Sequence, residues 1–152
     1  MPSKALIKEL KPVAGLAPAV VTSTQLSSAC DLQYFEGAIA RVHVGTFGDV
    51  QSATVYFEAE LQDSDDDSTY AAVANALLVF AGTGSARTGH AVGTFFQSKT
   101  TGAADTAGLY EVGYIGTKRY LKINVRVTGT NSTGTPVSAS FTKGNGVFGP
   151  AQ

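Results

Sequence analysis

Few side chains in this sequence have the types and spacing that chemistry demands. His43 and His90 are its only histidines, and neither has a histidine, cysteine or carboxylate pattern at metal-ligand spacing beside it. They read as a strand-surface residue and a loop residue. Cys30 is the one cysteine and precedes Asp31. A nucleophilic thiol needs a positioned base and an oxyanion stabiliser, and no local signature supplies either, so a small buried thiol is expected. Glu58 and Glu60 would share a strand face about 7 Å apart. Acidic side chains are ordinary on the wet face of a strand, so a glycosidase dyad would over-read them.

The densest charge cluster, Asp63-Ser64-Asp65-Asp66-Asp67-Ser68, puts carboxylates at alternate positions as a calcium loop does. An EF-hand loop starting at Asp63 requires Gly and Glu where this chain has Ser68 and Ala74, so a solvated turn is the better reading. The run Ala81-Gly82-Thr83-Gly84-Ser85-Ala86-Arg87-Thr88-Gly89 lacks the Gly-Lys-Ser/Thr ending of a phosphate loop and the third glycine of a dinucleotide fingerprint. It reads as a flexible hairpin loop. These residues predict no catalytic group, cofactor or metal, and no enzyme. What remains is a local basic surface, Lys118-Arg119 with Lys122 and Arg126, beside Tyr114 and Tyr120. Arg and Tyr suit partly desolvated protein contacts, and such a surface could meet the acidic loop of a neighbouring copy.

The elements that position these groups are strands. Leu121, Ile123, Val125 and Val127 alternate with Tyr120, Lys122, Asn124 and Arg126, the period-two pattern of a half-buried strand. Leu109 to Tyr114 alternates likewise, and Ile115-Gly116-Thr117-Lys118 offers Gly116 for a positive φ in a tight link, so the two strands predict an antiparallel hairpin. Further strands are expected at Ala38 to Gly45, Thr54 to Leu61, Leu77 to Phe80 after a helical turn, Ala91 to Gln97 and Val137 to Thr142. In the first of these Ala40, Val42 and Val44 face inward, and in the second Val55, Phe57, Ala59 and Leu61.

The chain has 152 residues, 43% of them hydrophobic, with 17 glycines and only 15% charged residues, which predicts one all-β domain of short strands and turns. The fold class is an antiparallel β-sandwich, jelly-roll-like, with an extended N-terminal arm. Lys and Arg total 11 against 12 Asp and Glu, so no overall basic field favours nucleic acid. A single cysteine allows no intrachain disulfide and fits synthesis in a reducing cytoplasm. The N-terminal apolar residues are interrupted by Glu9, Lys11 and Pro12, which is not the pattern of a signal peptide, and no stretch approaches a membrane span. Residues 1–28 carry Pro2, Pro12 and Pro18 without a strand pattern and read as an arm anchored by Leu6, Ile7 and Leu10; a strand completing the domain's own sheet is the alternative. Residues 29–152 then form the domain, ending in a short tail.

Three segments carry a resemblance: Asp31-Leu32-Gln33-Tyr34-Phe35-Glu36, Glu60-Leu61-Gln62-Asp63-Ser64-Asp65-Asp66, and Tyr110-Glu111-Val112-Gly113-Tyr114-Ile115-Gly116-Thr117-Lys118-Arg119-Tyr120. They resemble the successive motifs of small tailed-bacteriophage head proteins associated with the major capsid protein. The resemblance implies a virion structural role as a capsid decoration or cement protein, made in the bacterial host cytoplasm and placed on the capsid surface. It implies the major capsid protein as partner and a homotrimer. The interface residues expected from the sequence itself are Leu6, Ile7 and Leu10 of the arm and Tyr114, Lys118, Arg119 and Tyr120 of the basic surface. No nucleic acid or membrane partner is expected. A head-tail connector or tail component, and a carbohydrate-binding sandwich, are the alternatives; the latter is opposed by the lack of Trp and of a secretion signal.

Overall fold

The computed structural model describes residues 10–80, 89–100 and 104–146. In chain order its strands are β1 (Lys11–Val21), β2 (Gln25–Leu26), β3 (Cys30–Asp31), β4 (Phe35–Val44), β5 (Tyr56–Ser64), β6 (Ala71–Ala72), β7 (Leu78–Phe80), β8 (Thr94–Gln97), β9 (Gly108–Tyr114), β10 (Tyr120–Thr128) and β11 (Thr135–Gly146). Among the described residues one 3-10 turn, Asn75–Leu77, enters β7, as the alanine-rich stretch before it predicts. Two antiparallel sheets pack face to face. One runs β1-β11-β4-β9-β7; the other runs β2-β10-β5-β6, with β3 also pairing β10 and β8 pairing β5. The all-β sandwich is therefore the observed fold.

Alternation explains which side chains make the core. Ala38, Ala40, Val42 and Val44 of β4 and Val137, Ala139 and Phe141 of β11 point inward from the first sheet. Phe57, Ala59 and Leu61 of β5 and Leu121, Ile123 and Val125 of β10 meet them from the second. Each larger side chain contributes about 1.5–3 kcal/mol by leaving water. Val55, expected with the β5 set, precedes the strand and is only half-buried.

Two expectations are corrected. The strands on either side of Gly116 do not form a hairpin: β9 pairs with β4 and β7, whereas β10 pairs with β5, β2 and β3. The chain crosses from one sheet to the other between them. Both strands carry inward apolar residues, Val112 and Tyr114 on one and Leu121, Ile123 and Val125 on the other, and burying both rows against each other is how a sandwich core is made. Alternation marks a face, and pairing partners are a separate matter.

The arm is corrected as well. Residues 11–21 form β1, paired with β11 from Lys11↔Lys143 to Val21↔Thr135, and Gln25–Leu26 pairs with β10. Pro12 and Pro18 hid the strand, but prolines are tolerated at a sheet edge, and Pro18 falls where the register slips between Leu16 and Ala19. Val13 and Leu16 pack on the core. Deleting residues 1–28 would strip an edge strand, so it would not leave the body intact. Leu6 and Ile7 lie outside the described residues.

Candidate functional site

The three segments singled out by their motifs, far apart in sequence, meet at one end of the sandwich. The first follows β3. Asp31 Oδ1 accepts the Gln33 backbone N–H at 2.8 Å, and the Phe35 N–H donates to Leu32 O at 2.8 Å, closing a tight turn. At its apex Tyr34 holds φ 68°, a left-handed conformation that costs a side chain with a Cβ, and is 60% exposed. The third segment holds this turn: Arg119 Nε and Nη2 donate to Asp31 Oδ1 and Oδ2 at 2.9 and 2.7 Å, and Nη2 also reaches Gln33 Oε1 at 3.0 Å. The Leu32 N–H donates to Arg119 O at 2.7 Å. Lys143 Nζ caps the Asp31 carbonyl at 2.7 Å and sits over the Phe35 ring.

The second segment is tied to the third by a buried phenol. Tyr114 Oη donates to Asp63 Oδ2 at 3.1 Å and accepts the Lys118 backbone N–H at 3.1 Å, while Lys118 Nζ lies 3.1 Å from Asp63 Oδ1. Burial pushes the Tyr114 phenol above its ordinary range, and the neighbouring Asp63 carboxylate adds to this. In register, Tyr120 stands opposite Ser64 on one side and Asp31 on the other. The rim so formed encloses a cleft of about 510 Å³ lined by Gln33, Phe35, Ile115, Lys118 and Arg119 among others. Ile115 is 59% exposed and also lines a neighbouring apolar groove with Leu10, Ile39 and Val79.

Of the residues expected at an interface, Lys118, Arg119 and Tyr120 belong to the rim and Leu10 to the adjoining groove. Tyr114 does not: it is 1% exposed and is part of the core, so its role is to hold the rim rather than to touch a partner. The basic side chains find acidic partners within the chain itself. Lys118 pairs with Asp63, Arg119 with Asp31, Lys122 approaches Asp67, and Arg126 spans Glu58 and Glu60, all within one chain. Tyr34 and Ile115 were missed as surface residues, because a period-two reading does not extend into turns.

The other candidates from the sequence take these places in the fold. Asp66 Oδ1 accepts N–H groups from Ser68 and Thr69 and the Ser64 hydroxyl, which fixes the acidic turn and holds its carboxyl well below the usual range. Cys30 is buried, which pushes its thiol up to about 11. His43 is exposed on β4. His90, with an almost wholly buried side chain, lies 3.2 Å through Nε2 from Asp105 Oδ2, which also accepts the Gln97 N–H. Glu58 and Glu60 are not on a wet face, since each is 6% exposed.

The Arg119 guanidinium also sets a pH dependence. Hydrogen bonding from Arg119 holds the Asp31 carboxyl below its ordinary value of 3.8. A depressed folded-state value means that this contribution is fully present above the unfolded value and is lost as pH falls through and below it. Stability measured by chemical denaturation should therefore fall on acidification below about pH 4, and Asp31→Asn should flatten that fall. An unchanged acid slope in Asp31→Asn would show that the pair contributes nothing.

No family model and no curated protein matches the chain. Among solved structures it is similar to the SPBc2 prophage-derived protein YomS, with a TM-score of 0.53 and 12% identity over 90% of this chain and 94% of that one. At that identity the likeness shows a shared fold.

Proposed function

We propose that the chain is a structural protein of a tailed-phage particle, a decoration or cement protein that sits on the outside of the head and bridges major capsid protein subunits as a homotrimer. The observation that carries this reading is the convergence of the three motif segments on one rim, locked by the Asp31–Arg119 pair and the Asp63–Tyr114–Lys118 cluster. A rim built of internally neutralised charges around exposed Tyr34 and Ile115 has the anatomy of a protein interface: apolar and aromatic anchors inside a polar border. The left-handed Tyr34 is held by its surroundings in a conformation it would not choose, as side chains at functional sites often are. The prophage origin of YomS agrees with a phage setting.

The test is binding of the purified chain to capsids that lack it, followed by sedimentation and by heat resistance of the particles. Ile115→Asp puts a charge on an exposed anchor, and a central anchor is worth about 2 kcal/mol or more, so capsid affinity should fall roughly 30-fold while the melting temperature holds. Ile115→Asp binding capsids as tightly as the parent would remove the rim from the interface. Sedimentation of a stable monomer that also occupies capsids as isolated copies would remove the trimer.

A further inference from the structure

At the opposite end of the second sheet lies a polar cleft of about 660 Å³, within the roughly 300–1,000 Å³ of small-ligand sites. Tyr56, Glu58, Gln97, Lys99, Arg126 and Thr128 contribute to its wall, with His90 beside them. β10 runs from Tyr120 at the rim to Thr128 at the cleft, about 26 Å at ~3.3 Å per residue. The two sites are therefore separate.

Its charges cancel locally. Arg126 Nη2 and Nη1 lie 3.2 and 3.1 Å from Glu58 Oε2 and Glu60 Oε2, and Lys99 Nζ sits 5.2 Å from the centre of the Tyr56 ring. Glu58 in the wall and Glu60 behind it thus balance Arg126 and Lys99, so the cleft offers little net field to repay the desolvation of a strongly charged ligand. Yet it is dense in fixed donors and acceptors. Gln97 Nε2 donates to Glu58 Oε1 at 2.6 Å, which pins both planar groups and leaves each carboxylate oxygen a further lone pair. Arg126 Nε and His90 Nδ1 are buried and have no hydrogen-bond partner among the described residues. A hydroxyl group donates and accepts through one oxygen, so it can satisfy a carboxylate lone pair and the orphaned Arg126 Nε–H together. Tyr56 adds an aromatic side chain against which the C–H face of a sugar ring can pack.

We infer that this cleft is a binding site for a neutral saccharide. The wall is preorganised by its own hydrogen bonds, so little ordering cost falls on binding. If the rim docks on a capsid, as proposed above, the cleft at the far end faces away from the shell, where a cell-surface glycan would be met. The binding itself does not depend on that placement.

Saturation-transfer NMR on the purified full-length chain tests it, with glucose, galactose, N-acetylglucosamine and their disaccharides as neutral probes and glucuronic acid and glucosamine as charged ones. Transfer to at least one neutral sugar is expected, stronger than to its charged counterparts. Tyr56→Ala and, separately, Thr128→Val should each weaken it by roughly ten-fold or more, with melting curves confirming the fold; Ile115→Asp at the rim should leave it unchanged. No transfer to any neutral sugar, a preference for the charged probes, or retention of binding in both cleft variants would overturn the assignment. Because capsid binding is not part of the assay, failure here leaves the rim untouched, and failure of the rim leaves the cleft untouched.

Discussion

Replacing Arg126 with alanine is expected to destabilise the protein by about 3 kcal/mol, at the low end of the 3–5 kcal/mol typical when one partner of a buried ion pair is removed. The reason lies in what stays behind. Glu58 and Glu60 project from β5 with side chains only 8% and 7% exposed, and both depend on the one guanidinium reaching across from β10. Their remaining oxygens keep amide partners, since Gln97 Nε2 donates to Glu58 and Gln62 Nε2 to Glu60, each at 2.6 Å. Those bonds, and an arginine side chain that is itself about a third exposed, are why the lower figure is expected. Two carboxylates would otherwise be left buried with no cation between them. Neutralising them should reverse most of the loss: Glu58→Gln and Glu60→Gln in the Arg126→Ala background should recover stability that neither recovers in the parent. Denaturant midpoints measure this. A loss within about 0.5 kcal/mol for Arg126→Ala, the range of an ordinary surface change, would show that the triad is solvated.

The fold is legible in the sequence where alternation is local. The inward rows of β4, β5, β10 and β11 follow from period two alone, and they make the sandwich class legible without any knowledge of pairing. Four things were not legible, each for a physical reason. β1 is an edge strand, where one unpaired side tolerates Pro12 and a register slip, so its pattern carries little signal. The crossing from β9 to β10 looks like a hairpin because a link that stays in one sheet and a link that changes sheets can have the same length and composition. Glu58 and Glu60 occupy the positions that alternation assigns to water, and their burial depends on Arg126 of another strand and on Gln97 of a third. At the rim, the motif segments were visible as sequence. Their convergence was not, because the Asp31–Arg119 contact joins residues whose neighbourhood only the three-dimensional pairing of β3 with β10 creates.

The bend between β9 and β10 supplies the second large effect. Gly116→Ala should destabilise the protein by about 1–3 kcal/mol, the usual cost of forcing extra volume into a packed site. A positive φ is not the cause, since Gly116 is not among the left-handed glycines, which among the described residues are Gly89, Gly93, Gly129 and Gly134. Space is the cause. A Cβ at this position would overlap Oη and Cζ of Tyr114, and that ring cannot yield, because it is fully buried and its hydroxyl is held between Asp63 and the Lys118 N–H. Either the ring leaves its site, which unpairs the buried Asp63 oxygen, or the link 115–119 swings outward and takes Ile115 and Lys118 with it. Both routes cost stability, and the second also deforms the rim. Gly116→Ala should therefore lower the denaturant midpoint and weaken capsid binding together, whereas Ile115→Asp lowers binding alone. Tyr114→Phe removes the hydroxyl oxygen from the overlap, so the double variant should lose less than the two single changes added together, a coupling that a double-mutant cycle reads directly. Additive losses in that cycle would mean that the alanine methyl is accommodated elsewhere and that the phenol does not dictate a glycine here.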